Sequence, residues 1–113
     1  MWIMVSGPYT SNAPSAEARA ENLRVMNRAA LALFRKGHVP IVGVNLALPV
    51  IEVEGTNAFD EIMMPLSLAA AERCDACLRV GGASRGADDE VERFRANGKP
   101  VYMRLEDVPS PVR

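Results

Sequence analysis

Trp2 to Ser6 is a run without polar alternation, closed by Gly7-Pro8. A strand that shows no period of two is buried on both faces, and both faces are covered mainly in parallel sheets, where helices lie above and below. The residues after it agree. Ser15 is placed to cap a helix in which Leu23, Met26, Ala30, Leu33 and Phe34 recur at helical spacing until Gly37. His38 to Gly43 then reads as a second short strand. Strand, helix and strand in so short a span form a right-handed crossover unit with parallel strands. Pro40 removes a ladder donor and sends the second strand to an edge.

The alternation continues. Val44 to Gly55 reads as a loop with at most a short helix, because Pro49 and Gly55 interrupt any longer pattern. Asn57 is a candidate cap for a helix from Ala58 to Arg73, which Pro65 should kink or divide. Asp75 to Val80 reads as the third strand and Ala87 to Asn97 as a helix closed by Gly98. Pro100 to Arg104 reads as the fourth strand. The expected fold is α/β, a doubly wound parallel sheet of flavodoxin or Rossmann type with four to five short strands. With 113 residues it is one domain, 1–105, followed by a Pro-rich tail, 106–113, expected to be poorly ordered.

Composition narrows the ligand. A formal net charge of -1 supplies no basic field for a nucleic acid polymer, so a small molecule is expected. The segment MWIMVSGPYT lacks the positive start of a signal peptide and the length of a membrane span, so a cytoplasmic protein with no membrane partner is expected. Cys74 and Cys77 form C-x-x-C, but a redox pair of that spacing opens a helix, whereas this one runs into a strand. A zinc site needs two further ligands. Free buried thiols are expected, with no metal and no cofactor.

In doubly wound sheets ligands bind beyond the carboxyl ends of the strands, near the switch in strand order. Two loops leave those ends, Gly7-Pro8-Tyr9 and Gly81-Gly82-Ala83-Ser84-Arg85-Gly86, and they should face each other. In the second, Gly81, Gly82 and Gly86 free the backbone to turn N–H groups outward, Ser84 adds a hydroxyl, and a helix start comes directly after. Those are the parts of a phosphate site, although neither a Walker nor a dinucleotide fingerprint is present. Arg85 either pairs with the phosphate or is solvated. Asp88-Asp89-Glu90 come next. Acids in a first turn are favoured by the helix dipole alone, so Glu90 is either such a charge or a group that looks into the loop. His38 reads as a turn residue and Asp75 as a clamp on the strand entrance.

The motifs Ser6-Gly7-Pro8-Tyr9, Gly37-His38-Val39-Pro40, Glu72-Arg73-Cys74-Asp75, Ser84-Arg85-Gly86-Ala87-Asp88-Asp89-Glu90 and Gly98-Lys99-Pro100 together resemble those of the nucleoside 2-deoxyribosyltransferase superfamily, which includes deoxynucleoside monophosphate N-glycosidases. The resemblance implies that Glu90, six residues after Ser84, is the nucleophile. It further implies that Ser84 meets a 5'-phosphate and that Gly7 and Tyr9 line the sugar and base pocket. One departure stands out. The family has an aspartic acid eight residues before the aspartate that opens the third strand, where this chain has Ser67. Serine is no acid at neutral pH, so another group replaces it, or the leaving group needs little help, or activity is lost. Asp60 would share a face with Ser67 on an unbroken helix.

Two functions are compatible with these features. One is an N-glycosidase or deoxyribosyl transferase working through a glutamyl-sugar intermediate; the alternative is a non-catalytic nucleotide-binding module. The apolar segment Val44 to Val53 and the small core point to a homodimer or higher homo-oligomer.

Overall fold

The computed structural model describes residues 1–111. Strand β1 (Trp2–Ser6) lies inside the sheet, and Ile3, Met4, Val5 and Ser6 are all buried, which is why the run carries no alternation. Parallel neighbours flank it: β2 (Val39–Val42) on one side and β3 (Ala76–Arg79) on the other, with Met4 opposite both Ile41 and Cys77. Strand β4 (Val101–Tyr102) pairs with β3 and completes a four-stranded sheet of order β2-β1-β3-β4. The chain runs outward from β1 to β2, returns to β3 and leaves by β4, so strand order reverses between β1 and β3. This is a doubly wound α/β domain.

Helix α1 (Ala16–Arg35) is capped as its sequence requires: the Ser15 hydroxyl accepts from the Ala18 N–H at 3.1 Å. It ends at Gly37, whose φ of +99° lets the His38 N–H reach back to the Leu33 carbonyl. Its buried residues Met26 and Leu33 join Ile3, Val5, Ala76 and Leu78 in one core. A second core forms from Met4 and Cys77 with Ala71, Cys74, Val91 and Phe94, residues contributed in part by α3 (Phe59–Arg73) and α4 (Arg85–Ala96).

The expected loop from Val44 to Gly55 is a twelve-residue helix, α2 (Gly43–Glu54), with Pro49 inside it. Val44, Ala47 and Ile51 recur at helical spacing and are buried, and α2 lies along α3. Proline removes one donor from one turn; an apolar face that must be covered outweighs that loss. For the same reason Pro65 does not divide α3: Met63, Ser67 and Ala71 stay in line and buried. Asn57 does not cap α3. A short 3-10 turn, Thr56–Ala58, leads in, and Ala58 occupies the cap position without a side-chain bond.

Other boundaries shift by a residue or two. Helix α4 begins at Arg85 rather than Ala87 because Ser84 is its cap. Strands β3 and β4 are shorter than expected. The Asp75 carboxylate clamps the strand entrance by accepting from the Trp2 N–H at 2.8 Å.

Through residue 111 the tail is exposed except where Val108 and the Pro109 carbonyl tie it to the body. A 3-10 turn, Leu105–Asp107, delivers Val108 into the core at 1% exposure. His38, expected at a turn, is buried and its Nε2 meets the Pro109 carbonyl at 2.7 Å. Residues 112 and 113 lie outside the described residues. Both cysteines are free and buried, and they share one core because Cys74 ends α3 before the strand begins. Among the described residues no helix is long and apolar enough to cross a membrane.

Candidate functional site

At the carboxyl ends of β1 and β3, where strand order reverses, a cavity of about 240 Å³ opens. The loop after β1 supplies Gly7, Tyr9, Thr10 and Ser11, α2 its first residues Gly43 and Val44, and α3 Phe59, Met63, Met64 and Ser67. The start of α4 closes the wall with Ser84, Arg85, Gly86, Ala87 and Glu90. The two strand-end loops do face each other. Gly81 sits at φ +76°, and a Cβ there would lie 2.7 Å from Cδ of Pro8. Past Tyr9, Thr10 and Phe59, the cavity adjoins a second chamber of about 510 Å³.

Of the three consecutive acids, Asp88 and Asp89 point to solvent and Glu90 turns inward, 8% exposed. Helix geometry allows nothing else, since neighbours in sequence do not share a face. The buried carboxylate is held by hydrogen bonds to the side chains of Ser6, from the end of β1, and Ser67, from the middle of α3. Behind Ser6 the Cys77 thiol donates to its Oγ at 3.4 Å. Burial pushes the Glu90 carboxyl above its usual range and Asp89 adds slightly to that, while the bonds to Ser6 and Ser67 and the Arg79 charge pull it back. Burial also pushes the Cys77 thiol up, to about 11, so it stays a thiol.

Ser84 has a double position. Its Oγ accepts from the Ala87 N–H at 3.2 Å as the cap of α4, and its own O–H remains available to an acceptor in the cavity. Arg85 is exposed at the rim of the same wall. Hydroxyl, guanidinium and helix start together form an end suited to an anion. Elsewhere the wall is aromatic and soft: Tyr9 stacks on Phe59 with centroids 6.4 Å apart and planes inclined by 19°, next to Met63 and Met64.

Two expected site residues lie elsewhere. Gly82 does not line this cavity; its carbonyl accepts from the Arg79 guanidinium at 2.7 Å, which turns the loop there toward a separate groove on the outer side. Asp60 is exposed and does not line the cavity. It does share a helix face with Ser67 but stands about 10 Å from it along α3, and at that level it is the neighbouring Phe59 that lines the cavity.

Sequence reasoning missed Ser6, Gly43, Arg79 and Phe59. Signals existed for two of them: Ser6 is the polar residue of a doubly buried strand, and Arg79 is a charge in an otherwise apolar one. The Arg79 guanidinium donates to the Val80 and Gly82 carbonyls and pairs with Asp88 at 3.6 Å, so it braces the loop rather than entering the cavity. Gly43 had no such signal. A Cβ on it would lie 2.1 Å from Oγ of Ser67 and 3.4 Å from Oε2 of Glu90, so its hydrogen is what lets these two side chains meet.

Among the described residues no cluster of three His, Cys, Asp or Glu side chains is disposed to hold a metal ion. The arrangement is a buried carboxylate between the start of α4, with Ser84 and Arg85, and an aromatic wall. No family model, curated protein or solved structure matches this chain.

Proposed function

We propose that the chain is an N-glycosidase or deoxyribosyl transferase that cleaves the N-glycosidic bond of a nucleoside or nucleotide, with Glu90 as nucleophile. One observation carries the reading: among the described residues Glu90 is the only carboxyl on the cavity wall, buried and held by two serines. The likeness of its motifs to the nucleoside 2-deoxyribosyltransferase superfamily supports it. Glu90 attacks the anomeric carbon, the bond to the base breaks, and a glycosyl ester forms; water or a second base then displaces the carboxylate with net retention. Ser84 and Arg85 take the 5'-phosphate and Tyr9 with Phe59 take the base. A nucleotide substrate fits a cytoplasmic location.

The second reading is a nucleotide-binding module without turnover. It is favoured by Ser67, which bonds Glu90 instead of supplying an acid. A product assay separates the two: free base released from nucleosides or deoxynucleoside monophosphates means an enzyme, and binding without release means a module.

If the phosphate sits at the α4 end, monophosphates bind more tightly than the matching nucleosides. Ser84→Gly should then narrow the gap by about 1 to 3 kcal/mol, the range for a hydrogen bond to a charged group. Glycine costs a helix cap only a few tenths, so the fold is spared. Titration calorimetry reads the result, and equal affinity for nucleoside and monophosphate refutes the placement.

Leu46, Val50 and Val53 form one exposed stripe along α2, Val53 being 89% exposed. We expect this stripe to be covered by a second copy in a symmetric dimer. Light scattering checks it: a particle of 12.3 kDa at micromolar concentration would contradict the dimer.

A further inference from the structure

A neutral purine or pyrimidine leaving C1' takes the bond's electron pair onto a ring nitrogen. It departs as an anion unless a proton donor meets it, and a positioned donor is worth about a hundredfold to ten-thousandfold. Among the described residues neither a carboxyl nor an imidazole, the commonest donors, stands on the wall on which the base would rest, and its one phenol, that of Tyr9, belongs to a ring stacked on Phe59. The loop after β1 and the helix α3 contribute Tyr9, Thr10, Ser11, Phe59, Met63 and Met64, with no carboxyl and no imidazole among them. Ser67 bonds the Glu90 carboxylate, and Asp60 is outside. Glu52 lines the adjoining chamber from α2, exposed and beyond the stacked pair. The chain's one histidine, His38, is buried at the entrance of β2, the opposite end of the sheet from the cavity, and bound to Pro109.

What the wall does contain suits positive charge. The faces of Tyr9 and Phe59 carry the negative side of their ring quadrupoles. The Met63 and Met64 thioethers are polarizable, and the Glu90 carboxylate stands in the same cavity. We infer, resting on the glycosidase reading above, that the substrate's leaving base is cationic: a quaternised heterocycle such as an N7-alkylated purine or an N-glycosylpyridinium.

The balance of the reaction then closes without an acid. An oxygen of Glu90 bonds to C1' as the C1'–N bond breaks, and the released pair neutralises the ring's positive charge, so the base leaves neutral with no proton moved. Water next attacks C1', the ester C1'–O bond breaks, the carboxylate is regenerated and the water's proton passes to solvent.

The test uses the full chain with N7-methyl-2'-deoxyguanosine 5'-monophosphate and its unmethylated counterpart, and with the same pair in ribose form, each corrected for spontaneous base loss. The methylated member is expected to be turned over at least about a hundredfold faster, the low end of what a missing acid forfeits. Its rate should rise once with pH, as Glu90 ionises, and then stay level until the substrate's own N1–H begins to ionise, a limit read from the substrate's titration without enzyme. The groups facing Glu90 are Ser6 from β1, Cys77 and Arg79 from β3, Ser67 from α3, and Asp89 with Arg85 from its own helix. None of them is placed to give a base its proton. Phe59→Leu should raise KM for the methylated substrate more than for the unmethylated one. Equal turnover of the pair, or a fall in rate at a pH below the substrate's own N1–H ionisation, overturns the cationic leaving group while Glu90-dependent base release keeps the glycosidase reading. Release of base from none of the four substrates overturns both.

Discussion

Glu90→Gln is expected to remove base release altogether, by at least about ten-thousandfold, while making the folded protein more stable at neutral pH. The first effect arises because an amide cannot form the glycosyl ester, and losing a nucleophile costs on the order of 10⁴ to 10⁶ in comparable covalent mechanisms. The second arises from burial. Folding raises the Glu90 carboxyl above its usual 4.5, burial being the main cause. Between that usual value and the raised one, the folded state binds more protons than the unfolded state, so stability falls as pH rises through this window. Above it the wild type carries a charge it would rather lose, and glutamine does not. Thermal melts should therefore show a gain for Glu90→Gln at neutral pH that shrinks as the pH is lowered and the buried carboxyl takes up its proton. Full activity in the variant would end the nucleophile assignment. Loss of activity with loss of fold would leave the stability argument wrong instead, which is why both are measured on one sample.

Gly43→Ala should be among the most damaging single methyl groups that can be added to this chain. On propensity alone the change looks harmless, since Gly43 is the first residue of α2 and even in a helix interior alanine is favoured over glycine, by about 1 kcal/mol. Packing reverses the sign. The new Cβ would lie 2.1 Å from Oγ and 2.9 Å from Cβ of Ser67, and 3.4 Å from Oε2 of Glu90. Rotating the Ser67 hydroxyl away relieves the first contact but not the second, and it breaks the bond that helps hold Glu90. Either α2 or α3 must then move. Overpacking of this kind costs about 1 to 3 kcal/mol, a fall in Tm of roughly 5 to 15 °C for a domain of this size. Activity should drop further than stability does, because the displaced pair includes the candidate nucleophile. Adding Ser67→Gly to Gly43→Ala removes both contact atoms and should recover much of the lost stability; additive losses in the double variant would show that the clash lies elsewhere.

The sequence by itself determined the sheet and where its crevice would open. The unalternating run Trp2–Ser6 demands cover on both faces, Ser15 and Gly37 mark the ends of one helix, and Pro40 belongs at the edge where β2 lies. These are local signals, set by backbone sterics and hydrogen-bond supply, and they survive folding. Glu90 belongs with them in part: helical spacing lets only one acid of three turn inward, while the Ser84 cap that sets the start of the helix emerged only in the fold. Tertiary structure decided the rest, because the deciding contacts join residues far apart in the chain. Pro49 and Pro65 read as breakers, yet α2 and α3 run through them, since each helix must bury an apolar face against the other. Val108 reads as tail and is core. Ser67, Ser6 and Gly43 come from three different elements and meet only at the carboxylate of Glu90. Asp60, on the same helix face as Ser67, stays exposed while its neighbour Phe59 lines the cavity. Periodicity assigns a face, and only packing assigns the depth at which that face meets a cavity.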